Sequence, residues 1–358
     1  MVQIRMPDLA GGGSRGFARQ VLRWLARSAL ALIALVVALV VAGAAYQSIG
    51  TWRDTRRFVQ QGKSIQVDSL KLNLDCTGQG RPTVILESGS TIPARGWVRV
   101  QPDIARFARV CSYDRAGYGW SDPGPEPRTS LQIATELKAL LQAAGERGPY
   151  VMVGHSFGGF NVRVFTGLHP SDVVGMVLVD ASSEDYQEGA YALPPAARQL
   201  QDEDERLGSL IEPLIIRFGV ARLFGKGTGS GYLPKALQEE VNYLSWQPKA
   251  RRAAASEWEQ MDQSVRQVRA AGDLGDRPLI VLTAGKSQED PSLPKEIQDE
   301  QQNIWTNRLQ AAEAHLSTRG KQIILPDSGH LIPFQDPEAV VSAVHEAWTT
   351  ARASTGVR

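Results

Sequence analysis

The sequence predicts an α/β domain that carries a helical lid and follows a membrane-spanning helix. Three observations carry this expectation. From about Lys63 onward, short apolar runs alternate with helical patterns, as they do where strands and helices alternate around one sheet. Within each run the apolar residues are consecutive, as strands buried on both faces require. Ahead of them, Ser28 to Trp52 contains no charged residue. Composition agrees: 42% of the 358 residues are apolar, and 39 Lys+Arg against 38 Asp+Glu leave a net charge of +1. A nucleic-acid binder would show a basic excess and a disordered chain a strong net charge, so no nucleic-acid partner is expected.

Taken in order, residues 1–27 read as a basic cytoplasmic tail, with Arg15, Arg19, Arg23 and Arg27 opposed only by Asp8. Residues 28–52 read as the membrane helix. A span needs about 20 largely apolar residues, and the run from Ala29 to Ala45 lies at its heart. Trp24 and Tyr46 stand where interfacial aromatics belong. The positive-inside rule leaves everything beyond Trp52 extracytoplasmic, against the pull of Arg53, Arg56 and Arg57. A secreted protein is the alternative, because Ala42-Gly43-Ala44 resembles a signal-peptidase site. The apolar run exceeds the roughly 7–15 residues of a signal core, which favours a retained anchor.

The α/β core is expected in two parts, 63–182 and 273–352, separated by a lid at 183–272. SIQVDSLKLNLDCTG reads as a hairpin. PTVILESGS, ARVCSYDRAG, YVMVGHS, VVGMVLVDAS, PLIVLTAG and KQIILPDSG each read as a strand ending in small or polar residues. Ser130 to Gly145 has apolar residues at 131, 133, 137, 140 and 141, a Ser cap and a closing Gly, so it reads as a helix. Asp336 to Ala351 reads as a terminal helix opening on Asp-Pro. The lid stretch breaks the rhythm, being helix-rich and punctuated by Pro194-Pro195, Pro213 and GKGTGSG.

Gly154-His155-Ser156-Phe157-Gly158 fits G-x-S-x-G, the strained turn that lifts a nucleophilic serine above a sheet. Gly12-Gly13-Ser14-Arg15-Gly16 fits it too, but with no strand before it. Only the copy at Ser156 follows a strand and precedes a helical pattern. A serine hydroxyl needs a base, and His330 follows the last strand near the C-terminus, in the order serine, acid, histidine. His169 and His345 fall at a helix end and inside a helix, His315 lies in a polar helix, and the His155 ring should point away from the serine oxygen. For the acid, Asp180 ends MVLVD and Asp290 follows PLIVLTAG; either loop can reach the imidazole. Two backbone donors are needed for an oxyanion: one from Phe157, the other from the loop after VILESGS, at Ser90 with Thr91 next. No metal site is expected. Cys76 and Cys111 cannot supply four zinc ligands, and the five histidines never fall at i, i+4.

Together VILESGS, SYDRAGYGWSD, VGHSFGG, MVLVDAS and PDSGHLIPFQDPEAV resemble the α/β-hydrolase superfamily over roughly Val67 to Thr350, and within it the serine hydrolases with an N-terminal membrane segment. The resemblance implies the α/β-hydrolase fold, an eight-stranded, mostly parallel sheet with a helical lid, and no cofactor. It implies hydrolysis of a small-molecule carboxylic ester or related acyl compound by Ser156, His330 and an acid. Cofactor-free haloperoxidase or perhydrolase chemistry and amide or imino-peptide cleavage are alternatives, with a non-catalytic binding module as the remaining one. Two departures stand out. Ser88-Gly89, preceded by Glu87, replaces the usual His-Gly, and Gly285 is followed three residues later by Gln288 rather than Asp. Some members take the acid from the end of the sixth strand, which favours Asp180. The implied strand order makes the strands of Cys76 and Cys111 neighbours, so the two are candidates for a disulfide in an oxidising compartment, with two buried free thiols as the alternative.

Overall fold

Strands whose consecutive residues are apolar must be covered on both faces, and the fold does this with helices on either side of one sheet. The computed structural model describes residues 13–185, 199, 203, 207–208, 211–212, 214–224, 231–286 and 293–355. Eight strands form a single sheet: β1 (Lys63–Val67), β2 (Leu70–Thr77), β3 (Thr83–Glu87), β4 (Val110–Tyr113), β5 (Tyr150–His155), β6 (Val173–Val179), β7 (Leu279–Ala284) and β8 (Gly320–Leu325). Their order is β1-β2-β4-β3-β5-β6-β7-β8. The β1–β2 and β2–β4 pairings are antiparallel and the rest parallel, giving the eight-stranded, mostly parallel sheet that was expected. Asp68, at φ 49°, closes the β1–β2 hairpin within two residues.

Successive residues of a strand point to opposite faces, and the core divides accordingly. Ile85, Met152, Leu178 and Val281 pack beneath the helices Ser130–Ala143 and Gly158–Leu168. Val84, Val153, Val177 and Leu282 pack with Trp97, Ile104 and the C-terminal helix Pro337–Thr355. The first of these helices is capped one residue earlier than the sequence suggested. Thr129 has an extended backbone and its hydroxyl accepts the Gln132 N–H, so Ser130 is the first helical residue. The last helix opens on Asp336, whose carboxylate accepts the Ala339 N–H at 3.1 Å, but runs to Thr355, past Ala351. Cys76 and Cys111 lie directly opposite each other in the β2–β4 register and are joined in a disulfide.

The chain divides into two compact units, Met1–Arg53 with Leu214–Gly225, and Asp54–Pro213 with Lys226–Arg358. The first is built on helix α1 (Gly13–Arg57), among the described residues the one helix long and apolar enough to cross a membrane. Helical structure thus begins well inside the stretch read as the basic tail. Part of the stretch assigned to the lid, Leu214–Gly225, groups with this helix rather than with the other lid residues. Those others include helices Lys235–Ser245, Pro248–Glu259 and Met261–Ala271.

Candidate active site

In an open parallel sheet a crevice forms where successive connections leave neighbouring strands in opposite directions. Here that point lies between β3, whose chain goes on to β4, and β5, whose chain goes on to β6. The two strands pair in parallel with Glu87 opposite Gly154, so the segments after both carboxyl ends meet above the sheet. Ser156 sits there at φ 52°, its N–H bonded to Val179 O and its carbonyl accepting from Gly159 and Ser182. A side chain at Gly158 would come within 2.6 Å of Glu87 O, and one at Gly154 within 2.8 Å of Gly158 O, so the turn requires both glycines. The other motif copy has no such setting: Ser14 lies within α1.

Ser156 Oγ donates to His330 Nε2 at 3.0 Å, and His330 Nδ1–H donates to Asp180 Oδ2 at 2.7 Å. The buried Asp180, at φ 43°, also accepts from Ala284 N–H at 2.9 Å and Trp305 Nε1–H at 2.8 Å through Oδ1. Three N–H groups therefore hold the carboxylate with one oxygen on the imidazole, which fixes the tautomer that leaves Nε2 free to accept from the serine. In this arrangement Nε2 can draw the proton from the serine hydroxyl. Asp290, the alternative acid, lies outside the described residues.

His155 supports the arrangement from below. It is 1% exposed, and its Nε2–H donates to the His330 carbonyl at 2.9 Å. Burial first, and then the nearby His330, lowers its pKa from 6.5 to about 3, so it stays neutral. The consequence for stability has a definite sign. As pH falls below 6.5 the unfolded chain takes up a proton that the folded chain refuses, and stability is lost down to about pH 3, at up to about 1.4 kcal/mol per pH unit. Thermal unfolding should therefore show the wild-type melting temperature falling more steeply between pH 6.5 and 4 than that of His155→Gln, which keeps an N–H donor without titrating. Parallel profiles would refute this role.

The loop after β3 is held by buried ions. Arg115 donates to Ser88 O at 2.5 Å and Gly89 O at 2.9 Å, and pairs with Glu87 at 2.7 Å and Glu257 at 2.9 Å. A peptide unit is planar and trans, so fixing the Gly89 carbonyl on Arg115 turns the Ser90 N–H to the opposite side. The amides of Ser90 and Phe157 carry no hydrogen bond among the described residues, whereas Thr91 N–H donates to Tyr118 OH at 3.2 Å. A side chain at Gly89 would come within 3.0 Å of Ser156 Cβ, which shows how closely this loop lies against the serine. Burial raises the Glu87 pKa, and the Arg115 charge opposes that rise.

Glu257, from the helix Pro248–Glu259, closes the cluster by accepting from Arg115, from Ser90 Oγ at 2.8 Å and from Tyr118 OH at 2.8 Å. It is fully buried. Removing one partner of such a cluster costs about 3–5 kcal/mol. Glu257→Ala should therefore unfold at a clearly lower temperature than the wild type. An unchanged melting temperature would separate this carboxylate from the cluster.

A cavity of about 800 Å³ opens onto Ser156, His330 and Asp180 and is walled by Phe160, Trp258, Met261, Val265 and Trp305. Two carboxylates on its wall are already paired, Glu184 with the buried Arg163 and Asp185 with Arg269 at 2.7 Å. Ser156, His330, Asp180, Phe157 and Ser90 are thus brought together as a group. Trp305 and Glu257 were not foreseen from sequence. Trp305 opens a π-helical turn in a polar stretch and Glu257 is one glutamate among many in the lid; neither carries a local signature.

The chain belongs to the alpha/beta hydrolase family, whose model matches residues 84–343. It is 26% identical over 289 residues to efuK of Hormonema carpetanum, named as a probable transporter; the match covers 74% of this chain and only 39% of that protein's length. It is also 26% identical over 274 residues to the uncharacterized protein YqjL of Bacillus subtilis, covering 76% of this chain and 86% of that one. Among solved structures, the epoxide hydrolase CorEH aligns with a TM-score of 0.57 at 16% identity, covering 81% of this chain and 99% of the other, a likeness of fold.

Proposed function

We propose that the chain is a serine hydrolase that cleaves a small carboxylic ester or related acyl compound through an acyl-serine intermediate. The observation that carries this reading is the hydrogen-bonded line Ser156–His330–Asp180, at 3.0 Å and 2.7 Å, opening onto a cavity lined by both apolar and charged side chains. Ser156 Oγ attacks the acyl carbonyl while His330 Nε2 takes its proton. Asp180 holds the ring and stabilises its charged form. The Phe157 and Ser90 amides receive the oxyanion. The protonated His330 then gives its proton to the leaving alkoxide. In the second half the same nitrogen deprotonates a water that attacks the acyl-serine, and the acid leaves as Ser156 regains its proton.

The N-terminal helix, in this reading, anchors the protein in a membrane with the catalytic unit on the extracytoplasmic side, or is removed as a signal and the protein secreted. The charge-free run of Ser28 to Trp52 behind a basic segment supports the anchor. The direct test is labelling with a fluorophosphonate probe followed by peptide mapping and a screen of acyl esters against amides. Modification at Ser156 with ester turnover is the expected result. A folded protein that neither labels nor turns over esters would remove the proposal.

A further inference from the structure

The segment Leu214–Phe224 packs on one stripe of α1. Gly43, Tyr46, Gln47 and Gly50 are spaced i, i+3, i+4 and i+7, so they share a helix face. A side chain at Gly43 would come within 2.5 Å of Phe218 O, and one at Gly50 within 2.6 Å of the Arg222 guanidinium. Gly219, at φ 72°, lies against Tyr46, and Arg222 Nε–H donates to Gln47 Oε1 at 3.2 Å. Close approach over small residues, helped by a polar side-chain bond, is how chains associate in lipid.

The depth of that contact follows from the sequence. At 1.5 Å per residue the charge-free run Ser28 to Trp52 is roughly 36 Å long, against a hydrocarbon layer of about 30 Å. Gly43 to Gly50 therefore belong to the leaflet that the C-terminal end of the span reaches. Ile216 is buried, whereas several other apolar side chains of the segment are exposed. Phe224 is 82% exposed, Leu223 58% and Leu214 53%, with Ile215 and Val220 also exposed. On α1 itself Leu39, Val41 and Ile49 are exposed as well. Phe218, Gly219 and Leu223 N–H groups bond to carbonyls of the same segment, as backbone in a lipid environment must. Arg217, exposed, supplies a cation of the kind an interfacial helix turns to headgroups.

We propose that Leu214–Phe224 is a second membrane contact, lying in the same leaflet as Gly43–Gly50 of α1, with lipid as its occupant. The proposal rests on the reading of α1 as a retained span. The test uses the full chain reconstituted in phosphatidylcholine–phosphatidylglycerol vesicles. One cysteine at a time is added by Leu35→Cys, Phe224→Cys, Leu223→Cys or Glu300→Cys and labelled with a nitrobenzoxadiazole dye; the two native cysteines are joined to each other. Blue-shifted emission lost to doxyl-phosphatidylcholine is expected at positions 35, 223 and 224, and water-like emission lost to iodide at position 300. Iodide quenching at 223 and 224 with position 35 in lipid overturns the proposal and leaves the anchor standing. Shielding of 223 and 224 from both quenchers means that protein covers the segment, which also overturns it. A probe at position 35 outside lipid removes the anchor and the proposal with it.

Discussion

Alanine at Ser156 should abolish fluorophosphonate labelling and lower ester turnover by at least about 10⁴-fold, because no other group supplies the attacking oxygen. The hydroxyl's hydrogen bond is to His330, so the variant should keep its circular dichroism and melting temperature. His330→Ala should lose a similar factor, and the double variant should be hardly slower than either single one, since the two residues act as one unit. Steady-state kinetics on a p-nitrophenyl ester would measure all three. Retained turnover in folded Ser156→Ala would mean that the chemistry belongs to a different group.

The second large effect concerns the acid. Asp180→Asn should lower kcat by about 10⁴-fold, because an amide facing Nδ1 selects the tautomer whose Nε2 carries the proton and cannot accept from the serine. Asparagine tolerates the left-handed backbone at this position, φ 43°, so the fold should survive. Asp290→Asn should stay within a few-fold of wild type. Measured side by side, the two variants decide between the loops after β6 and β7, and a loss confined to Asp290→Asn would reverse the assignment.

How much of this was legible in the sequence depended on whether the cause was local. The turn around Ser156 is written in adjacent residues: an apolar strand before it, glycines where backbones crowd, a helical pattern after it. The duplicate pattern at Ser14 shows that the glycines alone carry little, since the same spacing there lies inside a helix. The helix cap lies one residue earlier than the sequence suggests because serine is the better capping residue of the pair, and only the extended backbone of Thr129 makes it the cap. The stretch 183–272 was legible as an interruption of the strand rhythm. The grouping of Leu214–Gly225 with α1 was not, because an apolar stretch reads the same whatever packs against it.

By itself the sequence determined the strands, the membrane-length helix, the serine turn and the histidine beyond the last strand, all of which rest on short-range sterics and hydrophobic burial. Only the tertiary structure decided that the His330 imidazole meets Asp180, that Trp305 and the Ala284 amide hold that carboxylate, and that Glu257 reaches Arg115 from 142 positions away. A buried carboxylate is indistinguishable from a solvated one in a string of letters. Its role comes from the donors around it, and those are brought together by strand order and by the placement of the lid helices, to which no neighbouring residue testifies.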